Sequence, residues 1–399
     1  MIINENLKTE IKYNCDVCVV GGGIGGIAAA LAAKRSGKNV ILAERAFMLG
    51  GLATAGLVTI YLPLCDGMGK QVSFGLAEEL LRLSISVYND EKRGYSNWLA
   101  SDDVQKRTEK DPRYEVNFNP HIFAISAEQL LLSEGVEILY GTTAVSTSRK
   151  GDKLNAVIFE NKSGRFAVCA NSFVDATGDA DLAYLSDTPT EIYKPGNMLS
   201  GWYYSNKEDG YDLHMVNIDN IPKKYKEDDE VLKQFDTKRF TGIDGEEVSY
   251  FMQMSHRMTM EDINHRREND PEYQPTTIAS IPQLRMTRRV VGEYTLDDTE
   301  QHKYFEDSIG MVSDWRYRGP VYEVPFRTLY SAKTENLLFA GRITSVTDAM
   351  WDIMRVIPCC AVTGEAAGIA ASMGDDMTSV DIKALQSEIE KRGGKIHEI

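Results

Sequence analysis

CDVCVVGGGIGGIAAALAAKRSGKNVILAE, Cys15 to Glu44, is the stretch that decides the fold. Six residues of short β-rich run lead into GGGIGG, an alanine-rich helical segment follows to Ser36-Gly37, and NVILAE begins a second strand. Strand, turn, helix and strand in that order open a βαβ unit. Gly21, Gly23 and Gly26, with Ile24 and Gly25 between them, satisfy G-x-G-x-x-G at the strand-to-helix turn. Gly21 permits the tight turn, Gly23 lets backbone approach a pyrophosphate, and Gly26 lets helix and strand pack closely. The helix N-terminus offers its unpaired N–H groups to phosphates. Glu44 closes the second strand 44 − 21 = 23 residues after Gly21, where a carboxylate accepts from ribose hydroxyls and disfavours the phosphorylated ribose of NADP. A glycine run alone is often a mere turn, but with strand, helix and acid around it the reading is a dinucleotide site.

Outward from this unit, composition narrows the function classes. The chain has 399 residues, 43% hydrophobic and 26% charged, an ordinary globular balance that predicts two or three domains and room for a cleft. Lys plus Arg total 44 against 59 Asp plus Glu, a net charge of −15 that disfavours nucleic acid and anionic membranes as partners. The opening MIINENLKTEIKYN carries Glu5 and Glu10 and reads as neither signal nor transit peptide, so a cytoplasmic location is expected. Val17 to Ala33 nearly reaches the roughly 18 residues of a membrane span, but glycine fills its middle. Six cysteines without a regular framework fit reduced thiols. Cys15 and Cys18 form a CxxC, yet three residues apart on a strand they should face opposite sides. Cys359 and Cys360 diverge on a helix, where packing is the plainer reading.

Farther along, LGGLATAGL (Leu49 to Leu57) is a small-residue segment open to a ligand, and a helix is expected from Phe74. Residues 89–111 read as a charged surface excursion. A helix near Phe123 leads to GVEILYGTTAV as a strand, and KLNAVIFEN and RFAVCANSFVDATG form an antiparallel meander returning to the main sheet. ENLLFAGR is a strand, and IPCCAVTGEAAGIAASM a helix with Pro358 near its first turn. The expected fold is α/β: a Rossmann-like domain built from 1–88, 112–188 and 326–399, with parallel sheet and β-meander, carrying an inserted mixed α+β substrate or cap domain at 189–325.

Nine segments in order, GGGIGG, LGGLATAGL, GLAEELL, GVEILYGTTAV, FVDATGDADLA, LRMTRRVVGEY, YEVPFRTL, NLLFAGR and RVIPCCAVTGEAAGIAA, span Cys15 to Ala371 with gaps. Together they resemble the FAD-dependent oxidoreductases of the glutathione-reductase superfamily, in the branch that includes fumarate reductases and thiazole-forming enzymes. The resemblance implies FAD as cofactor. It implies that Gly21, Gly23 and Gly26, with Ile24 and Gly25, line the pyrophosphate and that Glu44, with Arg45 after it, meets the adenosine ribose. Gly50, Gly51 and Thr54 would run toward the flavin, the backbone at Val145 would meet the adenine, and Thr177, Gly178 and Asp179 would pass beneath the dinucleotide. Gly341 and Arg342 would end a strand against the ribityl chain, and the helix at Pro358 would aim its N-terminus at the flavin pyrimidine, where charge develops on reduction. Where many relatives carry a histidine after Gly-Arg, this chain has Asp348.

For the chemistry, Arg285, Arg288 and Arg289 are candidates to anchor a carbonyl or carboxylate; in an extended chain Arg285 and Arg289 share a face. A salt-bridged edge is the alternative for each. His256 ranks first of six histidines as a base, none of which shows a metal spacing, and Asp348 and Arg355 are further candidates near the flavin. Trp202, Tyr203, Tyr204, Tyr322 and Phe326 are candidates to wall a pocket, or simply core. The function expected is hydride transfer between flavin N5 and a C–H, C–OH or C=C bond of a small polar organic substrate. The electron acceptor or donor is open: a diffusing carrier, oxygen or the substrate. An oligomer is compatible with the sequence. The rivals are an ene-reductase acting on an unsaturated carbonyl or carboxylate, a flavin-binding protein without turnover, and an RNA-modifying flavoprotein, which the charge disfavours.

Overall fold

The computed structural model describes residues 2–86, 114–207, 210–217 and 239–398, so the 89–111 excursion lies outside the described residues. β1 (Glu10–Val20) buries Val17 and Val19 on one side and Cys18 and Val20 on the other, as a strand covered on both faces must. Gly21, at φ 102°, ends it, and α1 (Ile24–Arg35) follows, buried from Ile24 to Ala33. Lys34 and Arg35 sit in its last turn, favourable at the negative end of the helix, and Gly37 at φ 79° turns the chain away. β2 (Val40–Ala43) then pairs parallel with β1, from Val17 opposite Val40 to Val20 opposite Ala43.

β3 (Ile60–Tyr61), α2 (Leu76–Ile85), β4 (Val116–Asn117) and α3 (Pro120–Ser133) come next, β3 and β4 forming a short ribbon. GVEILYGTTAV, expected as one strand, is two. β5 (Glu137–Leu139) pairs parallel with β2, and β6 (Thr143–Lys150) opens the antiparallel meander with β7 (Lys153–Asn161) and β8 (Gly164–Asp175). Gly141, at φ 57°, lies in the turn between them. β8 pairs parallel with β1 along its length. Its other edge pairs first with β7 and then, from Phe173 to Asp175, with Leu337–Phe339. The sheet order is β5-β2-β1-β8-β7-β6, with that late strand beside the end of β8. The architecture is α/β, a mainly parallel sheet with a meander.

After α4 (Asp181–Leu185) come β9 (Thr190–Ile192), β10 (Ser200–Lys207), β11 (Gly210–Asn217), α5 (Gly245–Arg267), β12 (Pro275–Ile278), β13 (Arg288–Val290), β14 (Ser308–Ser313), β15 (Val321–Pro325) and β16 (Leu337–Phe339). α6 (Asp348–Met354), α7 (Ile357–Met373) and α8 (Ile382–Lys391) close the chain. The segment 189–325, expected as one inserted domain, divides. Leu199, Tyr203, Phe240, Phe251, Met258 and Leu284 share a core of their own. Leu296, Phe305, Ile309, Val312, Tyr322 and Val324 instead join the core around α1 and α7. The reason is coverage: α7 is buried from Ile357 to Ala371, and β14–β15 supplies part of its apolar surroundings.

The glycines of α7 set how closely it lies on α1. A Cβ at Gly364 would stand 2.3 Å from the Gly25 carbonyl oxygen, and one at Gly368 2.2 Å from that of Ala29. The glycine–alanine run is therefore a close-packing seam.

The expectation for Cys15 and Cys18 is corrected. The N–H groups of Asp16 and Val17 both donate to the Asn39 carbonyl, at 2.9 and 3.2 Å, just before the pairing with β2 begins. Both cysteines pack on the meander side of the sheet. The neighbouring Cys15 thiol, and then burial, push Cys18 well above the ordinary thiol range.

Candidate active site

A cleft of about 720 Å³ runs along the carboxyl ends of the parallel strands. That is the position an open α/β sheet leaves for a ligand. At one end it is lined by Val20, Gly21, Gly23, Ile24 and Gly25, with Glu44, Arg45 and Ala46 beside them. No side chain caps α1 at Gly23, and a Cβ there would meet nothing within 4 Å. Glu44 is buried, its carboxylate accepting from Gly22 N at 2.6 Å and Ala46 N at 2.7 Å, which fixes its orientation toward the cleft. Gly26 does not line the cleft. It packs, a Cβ there falling 1.8 Å from the Gly21 carbonyl oxygen. Arg45 reaches Asp179 at 3.5 Å and Asp181 at 3.9 Å.

Beneath this end, Thr177, Gly178 and Asp179 line the cleft. Asp175 shapes that loop by accepting from Thr177 N at 3.0 Å, Thr177 Oγ1 at 2.7 Å and Ala183 N at 2.8 Å. Burial pushes its carboxyl up to about 6 against those three donors. Gly50 and Gly51 also line the cleft, but Thr54 is wholly buried and donates to the Leu49 carbonyl, so it supports the turn from behind. Thr142, Thr143 and Ala144 line the cleft, and Val145, expected at the adenine, lies one residue beyond them.

At the other end Gly341, Arg342, Arg355, Val356, Ile357 and Cys360 line the cleft. α7 begins at Val356 without a side-chain cap, so its first-turn N–H groups are available there. Pro358 sits in that first turn, supplies no N–H and does not line the cleft. Arg342 donates to the Leu284 and Arg285 carbonyls at 2.8 and 3.0 Å and meets Asp179 at 3.4 Å. Arg355 is tied to Asp352, at 2.5 and 2.9 Å.

Arg285 differs. It lines the cleft with its guanidinium over the Trp202 ring, 4.7 Å from the centroid, and donates to the Gln283 carbonyl at 3.2 Å. Desolvation first, then repulsion from Arg355 and Arg342, pushes it down to about 9, with Asp352 pulling the other way; it stays protonated at neutral pH. Among the described residues it is the one cleft arginine without a carboxylate partner.

Four catalytic expectations are corrected. Arg288 is buried against Asp181 at 2.9 Å and lies over the Tyr184 ring. Arg289 is buried between Asp348 at 3.0 Å and Glu191 at 2.8 Å, which occupies both it and Asp348. Neither arginine lines the cleft, because β13 takes their side chains to opposite neighbours and Arg285 precedes that strand. His256 is exposed on α5, outside the cleft. Among the described residues no aromatic side chain lines the cleft: Trp202 stands behind Arg285, Tyr203 donates to Asp262 at 2.6 Å, Tyr204 and Thr59 hydrogen-bond one another, and Tyr322 and Phe326 are core.

The roof comes from residues the sequence did not single out, Gly242 to Gly245, Val248, Ile281, Pro282 and Leu284. A signal existed for part of it. Asp244 caps α5, accepting from Glu247 N at 2.8 Å, while the Glu247 carboxylate reaches back before the cap to accept from Gly242 N at 2.8 Å.

The profile of the FAD dependent oxidoreductase family matches residues 16–198 and 197–389. The chain belongs to that family. As a member of it, the protein is an FAD-dependent oxidoreductase, and its residues fit the cofactor: an open glycine cradle at an uncapped helix start, a fixed acid at the ribose position and a second uncapped helix start at the far end. A thioredoxin reductase of Ureaplasma parvum serovar 3 is 28% identical over 193 residues, which is 46% of this chain and 55% of that one. The match thus spans about half the length of that curated relative. Among solved structures, a geranylgeranyl bacteriochlorophyll reductase-like protein from Thermoplasma acidophilum superposes with a TM-score of 0.45 at 12% identity, over 95% of this chain and 84% of that one. A p-nitrophenol 4-monooxygenase from Pseudomonas putida DLL-E4 gives 0.47 at 9% identity, over 95% and 85%. Likenesses that distant carry no statement about substrate. Among the described residues no single helix is long and apolar enough to cross a membrane.

Proposed function

We propose that this flavoprotein transfers a hydride between flavin N5 and a C–H, C–OH or C=C bond of a small organic substrate whose carbonyl or carboxylate is oriented by Arg285. FAD, when bound, supplies the two-electron chemistry. The uncapped start of α1 and Glu44 would hold the dinucleotide, and the start of α7 would favour negative charge on the pyrimidine side. Arg355, held by Asp352, shapes the site beside Arg285.

The observation that carries the reading is Arg285, held on Trp202 with no carboxylate partner among the described residues. A cation desolvated at a cleft and left unpaired is a group waiting for an anion or a carbonyl oxygen. Dithiol chemistry has less support. Cys360 is the one thiol lining the cleft among the described residues, and burial pushes it up to about 12.

The test is anaerobic. Purified protein should show flavin absorption, release FAD on denaturation, and bleach with a substrate of this kind. Reoxidation of pre-reduced protein by enoates, with no bleaching by saturated acids, would assign the ene-reductase direction instead. FAD that binds but never changes redox state with any carbonyl or carboxylate would overturn turnover.

A further inference from the structure

Resting on the reading above, we infer that the substrate is an aliphatic monocarboxylate: one anionic end on Arg285 and an unbranched or branched alkyl body with little polarity beyond the reacting carbon.

The floor of the cleft beyond the glycine turns is an extended segment in which Val58, Ile60 and Leu62 line the cavity, while Tyr61 points away and donates to the Ala77 carbonyl at 2.6 Å. Alternation of two residues puts those three side chains on one face. The same cavity is also lined by Val248, in the opening turns of α5, and by Ile281 and Leu284 just before Arg285. The side chains these two segments contribute are aliphatic. Among the described residues this end of the cleft has no histidine, tyrosine, serine, asparagine or glutamine side chain on its lining.

That lining discriminates. A sugar or polyol would bury hydroxyls with no partners, each a desolvation cost not returned. An alkyl chain would exchange water for carbon on both sides. Charge sets the other end. Among the described residues Arg285 has no carboxylate within ion-pair reach, Arg355 is held by Asp352, and the carboxylate on the roof, Asp244, repels a second negative group. The site thus has a place for one negative charge. Trp202 holds the guanidinium plane and Gln283 takes one N–H, leaving other donors of the fork for a carboxylate.

The experiment uses FAD-loaded protein and reads perturbation of the flavin absorption spectrum on adding acetate, butanoate and hexanoate, with butanamide, 4-hydroxybutanoate and succinate as matched probes. Affinity should rise about fourfold per added methylene until the pocket fills, which is the transfer value of a CH₂ group. Butanamide should bind on the order of tenfold to a hundredfold more weakly than butanoate, the worth of a charge-assisted hydrogen bond. Arg285→Gln should erase that acid-to-amide difference while keeping FAD, and Ile281→Thr should flatten the chain-length slope while keeping the acid-to-amide difference.

Tighter binding of succinate or 4-hydroxybutanoate than of butanoate would overturn the inference and leave the flavoenzyme reading standing. So would the absence of any perturbation by carboxylates. Loss of FAD from Arg285→Gln would show that Arg285 serves the cofactor, and would also overturn it. A wild-type protein that takes up no FAD would remove the reading beneath, a separate result seen before any acid is added.

Discussion

Glu44 shows how far a single residue can be read. Its position after β2 marked it as a ribose acceptor, and the structure adds two backbone N–H donors that fix the carboxylate in place. Glu44→Gln converts one acceptor oxygen into a donor group, so FAD affinity measured by flavin fluorescence should fall on the order of tenfold; unchanged affinity would remove Glu44 from the site. Glu365 was invisible in the sequence, sitting in a glycine–alanine helix, and it turns out buried beneath the start of α2, accepting from Leu76 N at 2.9 Å. Burial raises its carboxyl from an ordinary 4.5 to about 7. The folded state therefore binds this proton more tightly than the unfolded chain. The stability it brings is complete below about pH 4.5 and is lost as pH rises through about 7. Glu365→Gln should accordingly be more stable than wild type at pH 8, by roughly 1–3 kcal/mol in denaturant melts, with the gap closing toward pH 4.5. A gap that widened on acidification would refute the sign. The three arginines 285, 288 and 289 mark the limit of reading residues singly: identical in type and nearly adjacent, they end in a cleft, against Asp181, and between Asp348 and Glu191. Which carboxylates surround an arginine is decided by chain segments far away in sequence.

Elements whose signals are local were legible. The strand, glycine turn and helix of residues 15–35 need only chain geometry and small side chains; α3, expected near Phe123, begins three residues earlier at Pro120, where Asn119 caps it by accepting from His121 N at 3.0 Å and Ile122 N at 3.1 Å. The Cys15–Cys18 pair misled because alternation assumes a regular strand, and the shared acceptor of Asp16 and Val17 is Asn39, more than twenty residues on in the chain. α7 was legible as a helix but not as a partner. Its seam with α1 yields a prediction: Gly368→Val must push a side chain into the Ala29 carbonyl, 2.2 Å from where its Cβ would lie. The helices must part, at a cost of about 3 kcal/mol or more, seen as a lowered denaturation midpoint. Because α1 carries the dinucleotide turn, FAD affinity should fall as well; an unchanged midpoint would show that the seam tolerates separation.

For the whole molecule, the cleft joins a floor from the sheet to a roof from residues 242–248 and 281–285. A ligand held between two such parts binds only the folded chain. FAD at a hundred times its dissociation constant should add about 2.7 kcal/mol and raise the melting temperature by on the order of 5 °C. Equal melting with and without FAD would contradict a site that spans both parts. At this scale the sequence by itself determined the α/β class, the glycine turn between the first strand and helix, and the strand-and-helix pair near the C-terminus, because each is written in a short run of residues whose own geometry enforces it. The tertiary structure alone decided where residues 189–325 divide and, among the described residues, which cleft arginine lacks a carboxylate partner and that the far end of the cleft is lined by aliphatic rather than aromatic side chains. Those outcomes rest on burial and charge pairing between distant segments, and competition among such partners is settled only when the whole chain packs.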